Sequence, residues 1–198
     1  MRYPAGHKEE TRAQIVKEAT RTIRVDGLHR LSVATVMSRA GLTHGGFYGH
    51  FTSKDGLIEA AVKRMFDEAD ARLDRAMTAA SPAEGLIAYI DDYLSDGLPQ
   101  DRHSLCPIVA LSAYLPQSPT AIRTTFGDGL LNLTTRLAAH IRATGVDQAD
   151  DLAASTLATL AGAVGTARAV SDPGQAEGVL RAARSALHHL LHLPPSDQ

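Results

Sequence analysis

The chain has 198 residues, the size of one ordinary domain or of a small domain leading into a larger one. Hydrophobic residues make up 44% and charged ones 21%, a globular composition that argues against a disordered chain. With five Tyr, four Phe and no Trp, the core must be built from Leu, Ala, Val and Ile. The single cysteine, Cys106, excludes an intramolecular disulfide and any cysteine-cluster metal site. No run of apolar residues is long enough to span a bilayer, and the start MRYPAGHKEETRAQ has no apolar stretch of a secretory signal. A soluble cytoplasmic protein is the default expectation, with no membrane partner.

The formal net charge of −2 conceals an asymmetry. Residues 1–64 hold eleven Lys/Arg against six acids, a net of +5, and the remainder carries −7. A small basic head on an acidic body is a common footprint of nucleic-acid binding; the alternative is a chance fluctuation of composition.

Apolar spacings of three and four recur along the whole chain, and strand signals are almost absent. Residues 9–25 carry Ile15, Ala19 and Ile23 on one stripe, with Gly27 as an αL stop. Ser32 is placed to cap a short helix with Val33, Val36, Met37 and Ala40 on one face, ended by Gly41. Thr43 is placed to cap a second short helix over 44–51. Ser53 opens a long one in which Leu57, Ala61, Met65, Ala69, Leu73 and Ala76 repeat. Ser81-Pro82 with Glu84 reads as a capping box, and Ser118-Pro119 and Asp172-Pro173 repeat the cap-then-proline device. Cys106-Pro107 imitates it with sulfur. These signals predict helices over about 82–96, 107–115, 119–143, 148–169 and 173–192, for an all-α chain of about nine helices. Loose tails are expected at 1–8 and 194–198.

The densest stretch is 32–51. Read physically it is a helix, a glycine turn at Gly41 and a second short helix, with Phe47 and Phe51 beneath and His44, Tyr48 and His50 outward. That arrangement is a helix-turn-helix, whose second helix enters the DNA major groove. Thr43-His-Gly-Gly-Phe-Tyr-Gly-His-Phe-Thr-Ser-Lys-Asp-Gly-Leu57 resembles the signature of the TetR family of transcriptional regulators. Ile15-Val16, Ala19 and Gly27 match that family's first helix, and Gly162, Ala167-Arg168-Ala169 and Asp172-Pro173 resemble the last two helices of some members.

The resemblance implies a head over 9–69 and a ligand-binding, dimerising body over 70–193. Its expected partners are double-stranded operator DNA, a second copy of the chain and a small-molecule effector. No cofactor and no metal are called for. By position, Tyr48, Lys54 and His50 match phosphate-holding residues. Thr43 would cap the recognition helix and meet a phosphate, and His44, Gly45 and Gly46 would face base edges. Ser32, at the start of the motif, completes the DNA-binding set. Gly46 replaces a frequent Thr of the family and Gly49 a frequent aromatic or His, so His44 is left as the principal side-chain reader.

In the body, Tyr89, Tyr93, Cys106, Tyr114, Phe126 and Leu130 are the expected effector contacts. The low charge of 108–115 and 130–133 predicts an apolar ligand. Cys106 has two readings. One is a small buried hydrophobe. The other is a reactive thiol with lowered pKa at a helix start, aided by Arg102 or His103. Leu160, Gly162, Val164, Val179, Ala183, Leu187 and Leu190 are the expected dimer interface. His188, His189 and His192 lack further ligands nearby for a zinc site. The residues also contain no Gly-rich phosphate loop, no H-E-x-x-H and no G-x-S-x-G, which leaves an enzyme as the weakest alternative. The other alternative is an architectural DNA-binding protein without a ligand.

Overall fold

The computed structural model describes residues 5–95 and 104–194, and every described element is helical or turn. Eight α-helices follow in order: α1 (Ala5–Asp26), α2 (Val33–Arg39), α3 (Lys54–Ala76), α4 (Pro82–Ser95), α5 (Pro107–Leu111), α6 (Thr120–Arg142), α7 (Ala149–Ala169) and α8 (Pro173–Leu190). Between α2 and α3 lies a six-residue 3₁₀ helix, His44–Gly49, which completes the nine helical segments that the sequence predicts. Helix α1 already starts at Ala5, so only part of the expected N-terminal tail is left. Residues 1–4 and 195–198 of the expected tails lie outside the described residues.

The caps follow the sequence at four places. Ser32 Oγ accepts from Thr35 N at 3.1 Å, Ser53 Oγ from Gly56 N at 3.0 Å, Ser81 Oγ from Glu84 N at 3.2 Å, and Asp172 Oδ1 from Gln175 N at 2.7 Å. Each satisfies an N–H that a helix start leaves without an intrahelical partner. Two expected caps do not form. Thr43 makes no side-chain cap, and Ser118 Oγ instead donates to the Tyr114 carbonyl at 3.0 Å, with Pro119 at the cap of α6. Helix α5 is also shorter than the predicted 107–115, ending at Leu111 before a 3₁₀ turn over Leu115–Gln117.

The recognition segment is the larger difference. The i→i+3 pattern there, with His50 N to Phe47 O at 2.9 Å, replaces the α-helix that the motif predicts. Three of its six residues are glycine, and each disfavours an α-helix by roughly 1 kcal/mol relative to Ala. Gly41, at φ 72°, makes the turn before it.

One apolar core runs through the chain. In the head Ile15, Ala19, Ile23, Val36, Met37, Phe47, Leu57 and Ala61 are buried, and α3 continues without a break into the body. There Leu73, Leu86, Ile90, Leu133, Leu137, Leu157, Leu160 and Leu187 take over. Helices α3 and α6 approach closely at Gly129, where a Cβ would stand 2.3 Å from the Phe66 ring. The Phe66 ring meets Phe126 edge-on at 5.3 Å, Arg136 bridges Asp70 and Asp74, and Asn132 donates to Asp70 at 2.7 Å. Asp91 and Asp92 are ion-paired: Arg184 of α8 holds Asp91 at 2.6 Å, and Arg72 of α3 holds Asp92 at 2.9 Å.

Candidate nucleic-acid interface and effector cleft

The outer face of the head is built on a buried aromatic base. Phe47 is buried and stacks on Phe51 at 5.7 Å, and the Arg12 guanidinium lies 4.7 Å from the centre of the Phe51 ring. Because Phe47 points inward, its neighbour Tyr48 is turned out and is 69% exposed. His44 meets Tyr48 edge-on at 6.5 Å, so the two side chains share one outward surface. Thr43, Gly45, Gly46 and Gly49 are exposed beside them, and Lys54 is exposed at the first turn of α3. Arg39 bonds Thr22 Oγ1 at 2.9 Å and Asp26 at 3.0 Å, which locks α2 onto α1 and fixes the tilt of the motif.

His50 sits at the edge of this face, with a half-buried ring whose Nδ1 is enclosed without a hydrogen-bond partner. Partial burial, then the charges of Lys8 and Arg12, hold its pKa below the usual histidine value. Of the expected DNA contacts, Thr43, His44, Gly45, Gly46, Tyr48 and Lys54 are exposed and His50 is half-buried. Ser32 is half-buried, with its hydroxyl engaged with Thr35 at the α2 cap.

A cleft of about 670 Å³ lies at the junction of head and body, between α1, α3, α4 and residues 104–107. Of the expected ligand contacts, Tyr89, Tyr93 and Cys106 line it. The other three lie elsewhere: Tyr114 faces His29 at 5.5 Å, Phe126 packs on Phe66, and Leu130 is half-buried against the core. The cleft also departs from the apolar lining expected, because its walls come from α1 and α3 rather than from 108–115 and 130–133. Lys17, Arg21, Arg24, Arg64, Arg72 and Arg75 border it, against Glu18 and Glu68. Regular helical spacing puts Lys17, Arg21 and Arg24 on one stripe of α1. No feature of the sequence says that this stripe meets the one on α3.

Arg24 ties the head to the body, donating to Glu68 at 2.6 Å and to the Leu105 carbonyl at 2.9 Å. Glu68 also receives Arg64 Nε at 2.8 Å. Burial pushes the Tyr89 hydroxyl pKa up. Burial likewise pushes the Cys106 thiol up, and hydrogen bonds from Tyr93 and the backbone of 108 and 109 offset this only in part. The reading of Cys106 as a buried small hydrophobe fits better than that of an activated thiol, since α5 has five residues and Cys106 is 3% exposed. Arg102 and His103, its expected helpers, lie outside the described residues.

Of the expected interface residues, Leu160, Val164 and Leu187 are fully buried within one chain, because they point at the neighbouring helices of the body. Val179 and Ala183 are half-buried, and Gly162 and Leu190 are exposed. Among the exposed residues of α7 and α8 are the small or apolar Ala154, Ala158, Gly162, Ala182, Ala186 and Leu190, alongside polar ones such as Ser155, Thr166, Glu177, Arg181 and Ser185. His188 is buried, with Nδ1 2.5 Å from the Pro194 carbonyl, and no group of three or more metal-ligating side chains occurs among the described residues. No helix among them is long and apolar enough to cross a membrane.

The fold and the exposed motif define a class: an all-α protein with a helix-turn-helix head on a helical body. Residues 15–61 match the family model described as bacterial regulatory proteins, tetR family. HTH-type transcriptional regulator TtgR of Pseudomonas putida is 36% identical over 62 residues, 31% of this chain and 30% of that protein. HTH-type transcriptional regulator YfiR of Bacillus subtilis is 24% identical over 102 residues, 52% of this chain and 49% of that protein. The matches thus span half or less of the length of these curated relatives. Among solved structures, the reduced form of Escherichia coli NemR superposes with a TM-score of 0.80 at 18% identity, covering 95% of this chain and 98% of that one. A TetR transcriptional regulator from Chloroflexus aurantiacus gives 0.77 at 22% identity, covering 92% and 96%. Residues 15–61 thus match the TetR family model, and the chain shares the fold of these solved structures.

Proposed function

We propose that this chain is a ligand-responsive repressor that binds a near-palindromic operator as a homodimer. Residues 9–69 form the DNA-binding head and residues 70–193 the sensing and dimerising body. The observation that carries the reading is the exposed face of Tyr48, His44 and Thr43, with Lys54 exposed at the start of α3, in a chain whose residues 1–64 carry a net charge of +5. Tyr48, Lys54 and Thr43 hold phosphates. His44 reads a base edge, and Gly45 and Gly46 let the backbone come close to the groove. The exposed small residues of α7 and α8 allow two copies to pack closely about a two-fold axis, which spaces two heads along the DNA. The cleft favours a ligand-responsive protein over an architectural one, since its volume lies in the range of small-molecule sites, roughly 300–1,000 Å³.

The test is a gel shift on the DNA flanking the protein's own gene. Lys54→Ala should weaken binding to all sequences alike and lower the slope of log affinity against log salt by about one. His44→Ala should narrow the difference between operator and random DNA. If Tyr48→Ala and Lys54→Ala both bind like the parent, this face is not the interface. Ala158→Glu should give monomers that lose the operator, read by sedimentation and the same gel.

A further inference from the structure

The geometry points to the cleft between α1 and α3 as a site for an organic carboxylate on an apolar or aromatic frame, acting at the junction of head and body. The inference deepens the ligand-responsive reading above, and three observations converge on it.

Charge comes first. The cleft holds six cations and two carboxylates; Glu18 is buried, and Glu68, the more exposed of the two, is already shared between Arg24 and Arg64. Arg72 is drawn to Asp92. Lys17, Arg21 and Arg75 at the rim have no carboxylate partner among the described residues, so the concavity keeps a positive field that concentrates anions. The second observation is Thr20. Its side chain is 3% exposed, it lines the cleft, and Oγ1 has no hydrogen-bond partner. A buried helical threonine ordinarily bonds the carbonyl one turn back, so this hydroxyl is a donor left over for a ligand. The third is the floor, where Met65, Tyr89 and Tyr93 offer apolar surface and the two tyrosine rings meet edge-on at 6.0 Å. A cationic rim over an aromatic floor selects an amphipathic anion. A bare inorganic ion leaves the floor unused, and a neutral apolar molecule leaves the charges unanswered.

The position supplies the regulation. Arg24 belongs to the head, and its bonds to Glu68 and to the Leu105 carbonyl join α1 to α3 and to the body. A ligand carboxylate competes with Glu68 for Arg24 and Arg64. Binding therefore loosens the tie between α1 and α3, and carboxylate and operator oppose each other by the same factor in both directions.

Calorimetry on the full-length chain, without DNA and in a phosphate-free buffer, tests this with 4-phenylbutyrate and decanoate. Their neutral amides and inorganic phosphate serve as comparisons. The carboxylates should bind at least about tenfold more tightly than the amides or phosphate. Arg21→Ala with Arg75→Ala should weaken them at least about tenfold, while Glu68→Gln, which removes the internal competitor, should bind them at least as tightly as the parent. Lys17→Ala, on an exposed face, replaces the double variant if circular dichroism shows that one misfolded, and should weaken binding in the same direction. Equal binding of the amides, full binding by the rim variants, or no heat from either carboxylate at millimolar concentration overturns the assignment. A chain that binds operator but no carboxylate refutes this proposal alone. One that binds carboxylate but no DNA refutes the repressor reading alone.

Discussion

Two glycines on α6, two residues apart, should respond to alanine with opposite signs. At Gly127 a Cβ would meet nothing within 4 Å and the backbone is helical, so Gly127→Ala should gain the ordinary helix preference of alanine, about 0.8–1 kcal/mol. At Gly129 the same Cβ would stand 2.3, 2.5 and 2.9 Å from three carbons of the Phe66 ring. Carbon atoms rest at about 3.5–4.0 Å, so the ring must move by more than an ångström or the helices must part. The ring is 3% exposed and has Phe126 against it at 5.3 Å, which leaves it little room. Overpacking of a filled core costs about 1–3 kcal/mol, and the fixed ring puts this case at the upper end. After the gain in helix preference, the net loss is about 2 kcal/mol. In a chain of this size that corresponds to about 4–8 °C in Tm. Thermal and urea unfolding followed at the helical circular-dichroism band gives both values. Phe66→Leu, combined with Gly129→Ala, should recover part of the loss, because it removes the atoms in conflict. If Gly129→Ala stabilises the chain as Gly127→Ala does, the close approach of α3 and α6 at this point is wrong.

His50 gives a pH prediction for DNA binding. Its depressed pKa keeps it neutral at pH 7 in the free protein, and a phosphate beside it would raise that pKa, so binding takes up a proton. Operator affinity should rise as pH falls from 7 toward 6, and His50→Gln should flatten the profile. Stability runs the other way, because the unfolded chain protonates first: the contribution of His50 is full above its unfolded value of about 6.5 and fades as pH drops through the folded one. For Cys106, a maleimide at neutral pH should label the folded chain far more slowly than the urea-unfolded chain; equal rates would contradict the buried, raised thiol. Gly49→Ala should raise stability by about 0.4–1 kcal/mol, since nothing lies within 4 Å of the new Cβ and φ is not positive; a lower urea midpoint would contradict that.

The sequence by itself determined what depends on local spacing. Ile15, Ala19 and Ile23 recur at intervals of four, and Leu57, Ala61, Met65 and Leu73 at four and eight; these fix one buried stripe on α1 and one on α3, wherever the helices end up. Ser32, Ser53, Ser81 and Asp172 cap from within three residues, so their helix starts were equally legible. Phe47 inward and Tyr48 outward followed from the same local logic. The three glycines of 44–49 disfavour a stable α-helix there, and the segment is 3₁₀. Tertiary structure decided whatever depends on which stripe meets which. Lys17, Arg21 and Arg24 form a charged row in any helix, and only their docking against Arg64, Glu68 and Arg72 turns that row into a cleft. Leu160, Val164 and Leu187 carry the same apolar signal whether they face a second chain or their own core, and the packing of the body places them in the core. Cys106 precedes a proline in either case, and the burial that raises its pKa comes from helices distant in sequence. Periodicity states that a face is apolar or charged; the partner of that face is set by long-range packing, which no local window contains.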